Sequence, residues 1–267
     1  MKHSLSKHGL LIVALGAGIP CALHSAESPL REAPASSLVE TNRTVQPTEQ
    51  IPPAKPGAPV KTKIVYKPPL RGAPAVRIDG GSRGNGVSLI CLNVLAPDHT
   101  GLVVQEQPSL YWYQSEPAAV PLELTLIVDK KAQPVLQVKL PDAGRAGIQR
   151  LKLSDYHVTL SPGIEYEWVV ALVVDPESRS KDVVASGYIQ RVNPSAGLTA
   201  RLANAGKAER PSIYAEEGIW YDALDAVSDL VEAQPDNASW RAEQAALLQQ
   251  AGVTNAAAYV RNLVHGN

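Results

Sequence analysis

The sequence contains no phenylalanine, and its only methionine is Met1. A hydrophobic core must therefore be built from valine, leucine, isoleucine, alanine, tyrosine and tryptophan. Hydrophobic residues still make up 45% of the chain, which is ordinary for a globular protein. The 267 residues leave room for one or two folded domains.

An excess of charge of either sign is also missing, because the formal net charge is -1. A protein that binds nucleic acid needs a basic surface that displaces counterions from the phosphate backbone. The near-neutral balance therefore argues against nucleic acid as a partner.

Cysteine is scarce, and Cys21 and Cys91 are the only two. Residues 1–26 have the features of a secretory signal peptide, because Lys2 and Lys7 precede a short apolar run and small residues follow it. The run is too short to cross a bilayer comfortably. We expect cleavage near residue 26, no membrane span afterwards, and a periplasmic or secreted protein. An uncleaved membrane anchor and a lipoprotein attached at Cys21 are the alternatives.

Cleavage near residue 26 would leave Cys91 alone, and a single cysteine cannot form an internal disulfide. Cys91 lies in the apolar run VSLICLNVL, which favours a small buried side chain over a reactive thiol.

Residues 27–70 are rich in proline, serine, threonine, glutamate and lysine, and they show no apolar period. We predict a disordered or extended linker there, stiffened by polyproline segments.

The middle of the chain carries short runs rich in β-branched and aromatic residues, separated by proline, glycine, aspartate or paired lysines. This spacing is typical of a β-sandwich, and the lack of long helical periods argues against alternating strands and helices. The predicted strands cover residues 87–95, 101–104, 109–114, 122–128, 135–140, 147–153, 166–174 and 183–192.

The run from Leu160 to Tyr166 resembles the tyrosine corner of fibronectin type III and related immunoglobulin-like sandwiches. The resemblance implies a hydrogen bond from Tyr166 to the backbone within residues 160–163, with Trp112 and Trp168 in the core. We therefore predict an immunoglobulin/fibronectin-III-like β-sandwich over residues 71–192.

A helical period replaces the strand pattern over residues 193–267. Ser195 is a candidate N-cap, Pro211 suits a first helical turn, and Asn255 is a candidate cap of the last helix. The segment GIWYDAL and the later AQPDN resemble about one tetratricopeptide (TPR) unit. One such unit cannot bury its own apolar face, so it must dock on the sandwich, bind a partner, or do both. The predicted fold is mainly β with an α tail.

Several segments together resemble the bacterial domain-of-unknown-function 928 (DUF928) family. They are RGAP with GGSRG, DPESRSKDVVASGYIQRV, NPSAGLTARL and YAEEGIWYDALDAVSDL, and the resemblance covers roughly residues 71–250. It implies an exported protein with a β-rich part and a helical end. The family has no assigned activity, so the resemblance implies no catalytic residue.

The candidate binding residues are arginines and aromatics. Arg77 and Arg83 lie in a glycine-rich segment and suit an anion or polysaccharide, with solvated or ion-paired arginines as the alternative. Tyr111 and Tyr113 share one strand face opposite Trp112. They are candidates for stacking on sugar or anchoring a partner, with packing against the helical tail as the alternative.

Trp220 and Tyr221 begin a predicted helix and pose the same choice, between a binding site and packing of the tail on the sandwich.

Support for catalytic or metal chemistry is weak. The segment GGSRG around Ser82 matches the hydrolase pattern Gly-x-Ser-x-Gly, but a predicted strand follows where a helix is needed. Glu165 and Glu167 suit solvated carboxylates better than glycosidase acids. The hairpin loop carboxylates around Asp175 suit ion pairs better than calcium. His99, His157 and His265 lack metal-ligand spacing.

The sequence thus predicts a non-enzymatic, exported protein-interaction module with an envelope protein as its partner and with no cofactor. A carbohydrate or cell-wall binder and, less well supported, a serine hydrolase using Ser82 are the alternatives.

Overall fold

A computed structural model of the protein describes residues 63–69, 77–81, 90–128, 133–140 and 145–265. These residues form two β-sheets followed by five helices, so the fold is mainly β with a helical C-terminal part. The predicted signal segment and all but the end of the predicted linker lie outside the described residues.

The strands occur in the order in which the sequence predicted them, with one short strand added in front. They are β1 (Gly80–Gly81), β2 (Cys91–Val94), β3 (Gly101–Val103), β4 (Ser109–Gln114), β5 (Leu122–Val128), β6 (Pro134–Leu140), β7 (Gly147–Lys152), β8 (Glu165–Leu172) and β9 (Val183–Arg191). The bounds of β4 and β5 are those predicted, because short runs of aromatic and apolar residues between turn residues mark a strand locally.

The strands divide into a four-stranded sheet, β1-β2-β4-β7, and a five-stranded sheet, β3-β9-β8-β5-β6. Every pairing is antiparallel except that of β3 with β9. Successive strands often lie in different sheets, and the first such change is between β2 and β3. Tyr166 on β8 makes the predicted corner contact, because the Ser161 backbone N–H donates to its hydroxyl at 3.1 Å.

The helices are α1 (Ala196–Asn204), α2 (Arg210–Glu216), α3 (Trp220–Ala233), α4 (Ala238–Gln250) and α5 (Thr254–His265). The Ser195 hydroxyl accepts from the Leu198 N–H, and Pro211 lies in the first turn of α2, both as predicted. The predicted cap at Asn255 is wrong. Asn255 lies inside α5, and its amide donates to Asn93 of β2 at 3.2 Å.

One hydrophobic core joins the sheets to the helices. It includes Leu92 and Trp168 from the strands and Leu224, Leu247 and Val260 from α3, α4 and α5. Every residue of β4 is buried, because α3 and α5 cover the face of this strand that carries Tyr111 and Tyr113. The helical part is thus packed on the β-sheets through this shared core.

Residues 63–69, at the end of the predicted linker, also belong to this core. Ile64 and Tyr66 are buried while Lys63, Val65 and Lys67 are exposed, an alternation expected of an extended chain lying on a surface. We call residues 63–69 the strap.

No helix in the part of the chain that the structure describes is both long and apolar enough to cross a membrane.

Candidate functional site

The structure places the predicted aromatic candidates inside the fold. Tyr111 and Tyr113 are 2% and 8% exposed, and Trp220 and Tyr221 are fully buried or nearly so. Each has a protein neighbour. The Tyr111 hydroxyl donates to Asp225 of α3 at 2.7 Å, and the Tyr113 ring lies 5.2 Å from that of Tyr259. Both strand tyrosines therefore pack against the helical tail, which was the alternative to a binding site.

The two helix aromatics join α3 to both sheets. The Trp220 indole N–H donates to the Leu95 carbonyl at 2.8 Å. The Tyr221 hydroxyl donates to the Tyr188 carbonyl at 2.9 Å and accepts from the Trp168 indole at 2.8 Å. Buried polar groups need such partners, and here they fix the position of α3 on the sheets.

Arg77 also serves the fold. Its guanidinium donates to the carbonyls of Ala96, Ala251 and Gly252 at 3.0–3.1 Å and pairs with Asp79. It thus holds the turn after α4 against the loop that follows β2. Arg83 and Ser82 lie outside the described residues.

The other polar candidates have local partners as well. Glu165 accepts from the Thr100 hydroxyl. In the hairpin loop Asp175 pairs with Lys181 at 2.8 Å and Asp182 with Arg179 at 2.6 Å, which confirms the predicted ion pairs. Within the described ranges no three His, Cys, Asp or Glu side chains are placed to hold a metal ion.

Among the described residues, the clearest binding geometry surrounds the strap. The groove that holds it is formed by α2, α3, α4 and the loop between β2 and β3, and we call it the strap groove. Side chains of α4 bind the strap backbone: Glu243 accepts from the Ile64 N–H at 2.8 Å, and Gln250 both accepts from the Tyr66 N–H at 2.9 Å and donates to the Ile64 carbonyl at 3.1 Å.

A fourth main-chain contact comes from α2, where the Ala215 carbonyl accepts from the Lys67 N–H at 3.0 Å. Gly218 lies directly beneath the strap in a left-handed conformation, with φ of 74°. A Cβ atom at Gly218 would lie 2.8 Å from the Lys67 carbonyl oxygen, so the groove depends on glycine here.

Two side chains of the strap enter the groove. Ile64 is almost fully buried, and the Tyr66 ring packs edge-on against Trp220 at 5.1 Å. The Tyr66 hydroxyl is hydrogen-bonded to Nε2 of His99 at 3.0 Å. Burial, with a smaller contribution from Asp98, raises the pKa of the Tyr66 hydroxyl, so this group stays protonated as a hydrogen-bonding partner.

The groove therefore recognises an extended segment through its backbone and through two side chains at positions i and i+2. Sequence analysis missed it, because two apolar residues within a proline-rich stretch show too short a period to predict structure. The signal that was present is the alternation of Ile64 and Tyr66 with lysines and valine.

A polar cluster lies where α3 meets β7. Arg150 binds Asp225 at 2.6 Å, Asp229 at 2.8 Å and the Ser109 hydroxyl at 3.0 Å, and its guanidinium lies 5.3 Å from the centre of the Tyr111 ring. All these groups are satisfied by one another, which is typical of a network that fixes two elements together.

A family model described as Domain of Unknown Function (DUF928) matches residues 78–259, more than half of the chain. The chain belongs to this family. A search of curated proteins finds no match. The DUF928 match includes the groove residues Ala215, Trp220, Glu243 and Gln250, whereas the strap precedes it.

Proposed function

We propose that this DUF928 protein is exported to the cell envelope and acts there as a non-enzymatic protein-interaction module. The observation that carries the proposal is the strap in its groove, because the helical part already holds an extended peptide segment in place. The groove would take an extended segment of a partner protein in the same way, in place of the strap.

The strap groove has the properties of a peptide site. Main-chain hydrogen bonds give affinity that depends little on sequence, and the buried Ile64 and Tyr66 give specificity at alternate positions. On α4, the side chains of Glu243 and Gln250 bind the backbone of the strap. The strap is therefore held without pairing with a β-strand.

We also propose that the β-rich part is an immunoglobulin-like sandwich and that α3 and α4 form a TPR-like unit. The strand order β9-β8-β5-β6, the change of sheet between β2 and β3, and the Tyr166 corner support the first assignment. The second is supported by α3 and α4, two successive helices of similar length joined by a short turn.

Export is supported by the signal-like composition of residues 1–26. Fractionation of cells that express the full chain with a C-terminal tag, followed by mass measurement of the tagged protein, tests it. We expect an envelope or secreted protein that has lost about 26 residues. An uncut protein in the cytoplasm would refute export.

The carbohydrate-binding alternative was based on Tyr111, Tyr113 and the arginines of the glycine-rich segment. The two tyrosine rings are buried against α3 and α5, and the Arg77 guanidinium is bound to backbone carbonyls. Stacking on a sugar needs an accessible ring face. No observation in the described residues favours this alternative over a protein partner, so we propose the interaction module alone.

The groove can be tested with a labelled peptide of residues 61–69 and three versions of the full chain. The wild-type chain should bind the peptide weakly, because its own strap occupies the groove at high effective concentration. A chain carrying Ile64→Ala and Tyr66→Ala, which weakens the strap, should bind the peptide at least about tenfold more tightly.

Adding Gln250→Ala to the strap-weakened chain is the matched control, since it removes two backbone hydrogen bonds from the groove. We expect peptide binding to fall again. Circular dichroism of each variant establishes that it is folded. If the folded, strap-weakened chain does not bind the peptide, the strap is a fixed part of the fold and the groove is no interaction site.

A further inference from the structure

Two aromatic rings of the strap groove contact the Tyr66 ring of the strap. The Trp220 ring meets it edge-on, with the ring centres 5.1 Å apart and 72° between the planes. The His99 ring is stacked on it, with the centres 6.1 Å apart and only 11° between the planes. These surroundings favour an aromatic side chain at this position of whatever segment occupies the groove.

Both groove rings are held by bonds that do not involve the strap. The Trp220 indole N–H donates to the Leu95 carbonyl at 2.8 Å. Nδ1 of His99 lies 3.3 Å from the carboxylate of Asp98. Each ring therefore keeps a partner when the strap leaves, and the groove presents the same two rings to another occupant.

The Asp98 contact also decides how His99 meets the Tyr66 hydroxyl. An ionised carboxylate can only accept hydrogen bonds, so Nδ1 of a neutral His99 ring carries the proton. Nε2 is then the acceptor, and the Tyr66 hydroxyl donates to it at 3.0 Å. A phenylalanine in the same place has no hydroxyl and would leave Nε2 without this donor.

Water has little access to the bond between Tyr66 and His99. Tyr66 is 7% exposed and the His99 side chain 17% exposed. A site built to bind a hydroxyl discriminates well against the analogue that lacks it, because the polar group of the site is then left unpaired. The groove therefore distinguishes tyrosine from phenylalanine by chemistry as well as by shape.

We propose that the strap groove selects partner segments that carry isoleucine and tyrosine at positions i and i+2, and that His99 recognises the tyrosine hydroxyl. This inference rests on the proposed function, since it names the class of segment that the groove accepts. The isoleucine requirement follows from Ile64, which is 1% exposed. Val65 between them is exposed, so the residue at i+1 is free to vary.

The test uses the full chain carrying Ile64→Ala and Tyr66→Ala, in which the strap is weakened, and four labelled peptides of residues 61–69. One peptide has the native sequence, and the others carry Tyr66→Phe, Ile64→Ala or, as the control, Val65→Ala. Fluorescence anisotropy measures each dissociation constant. We expect the first two substitutions to weaken binding about tenfold each and the control to leave it unchanged.

A second variant assigns the tyrosine preference to His99. Adding His99→Phe to the strap-weakened chain keeps an aromatic ring beside the occupant and removes Nε2. The tyrosine hydroxyl of the native peptide would then be buried without a partner, so the Tyr66→Phe peptide should bind at least as tightly as the native one. A merely structural role of His99 would weaken the binding of both peptides by the same factor.

Circular dichroism establishes that each variant is folded, and the peptide comparison on the chain with an intact His99 decides the question even if His99→Phe does not fold. Equal binding of the native and Tyr66→Phe peptides to that chain overturns the proposal and leaves the groove a peptide site. An unchanged preference for tyrosine in the folded His99→Phe variant also overturns it. If none of the peptides binds, the proposed function fails and this inference fails with it.

Discussion

Asp222→Asn should stabilise the protein at pH 8 and change its stability little at pH 4. Asp222 is almost fully buried, and burial raises its pKa from 3.8 to about 7. Between pH 3.8 and about pH 7, the folded chain keeps a proton on the Asp222 carboxyl group that the unfolded chain has released. The folded state therefore loses stability relative to the unfolded state as the pH rises through this window.

The magnitude follows from the width of the window. Each pH unit costs about 1.4 kcal/mol, so a shift from 3.8 to about 7 costs at most about 4 kcal/mol above pH 7. Asparagine does not titrate, and its side-chain oxygen still accepts from Val104. The difference in unfolding free energy between the variant and the wild type should thus rise from pH 4 to pH 7 and then level off.

Urea unfolding of both proteins at each pH unit from 4 to 8 measures this difference. Asp229→Asn is the control, because it removes a carboxyl group from the same helix whose side chain is 59% exposed rather than buried. A difference for Asp222→Asn that is independent of pH over this range would mean that the Asp222 carboxyl is ionised throughout, and the reasoning from burial would be wrong.

Three further substitutions test the fold by urea unfolding. Tyr166→Phe should cost about 1 kcal/mol through its lost backbone hydrogen bond, and a change within error would count against the corner. Ile64→Ala should lower the free energy of unfolding by about 2–4 kcal/mol, and Val65→Ala, at an exposed position, by under about 0.5 kcal/mol. Equal losses would show that the strap is not part of the core. Gly218→Ala should cost more than Gly163→Ala, since both have positive φ but only Gly218 lies under the strap; equal effects would contradict this contact.

The secondary structure was largely predictable because its signals are local. The aromatic and apolar residues that mark β4 and β5 lie within six or seven residues, and the cap at Ser195 needs only a neighbouring helix start. The cap at Asn255 failed for a tertiary reason. Its side chain is recruited by Asn93, which lies 162 residues away in sequence.

The candidate sites were less predictable because burial depends on what covers a face. Alternation showed that Tyr111 and Tyr113 share one face of β4, but not that α3 and α5 lie over it. Asp222 is one of several acids in an amphipathic helix, and its distinguishing partner, the Val104 backbone, is 118 residues away. No local pattern contains that information.

The position of the strap relative to the family match supports the proposed function. Ala215, Gly218, Trp220, Glu243 and Gln250, which form much of the groove, lie within the matched residues 78–259, whereas the segment they hold precedes that region. Receptor and occupant are thus separate stretches of sequence joined by the residues between 69 and 77. An interaction module needs this separation. The groove can accept a different extended segment only if the residues that form its walls are not themselves part of the strap.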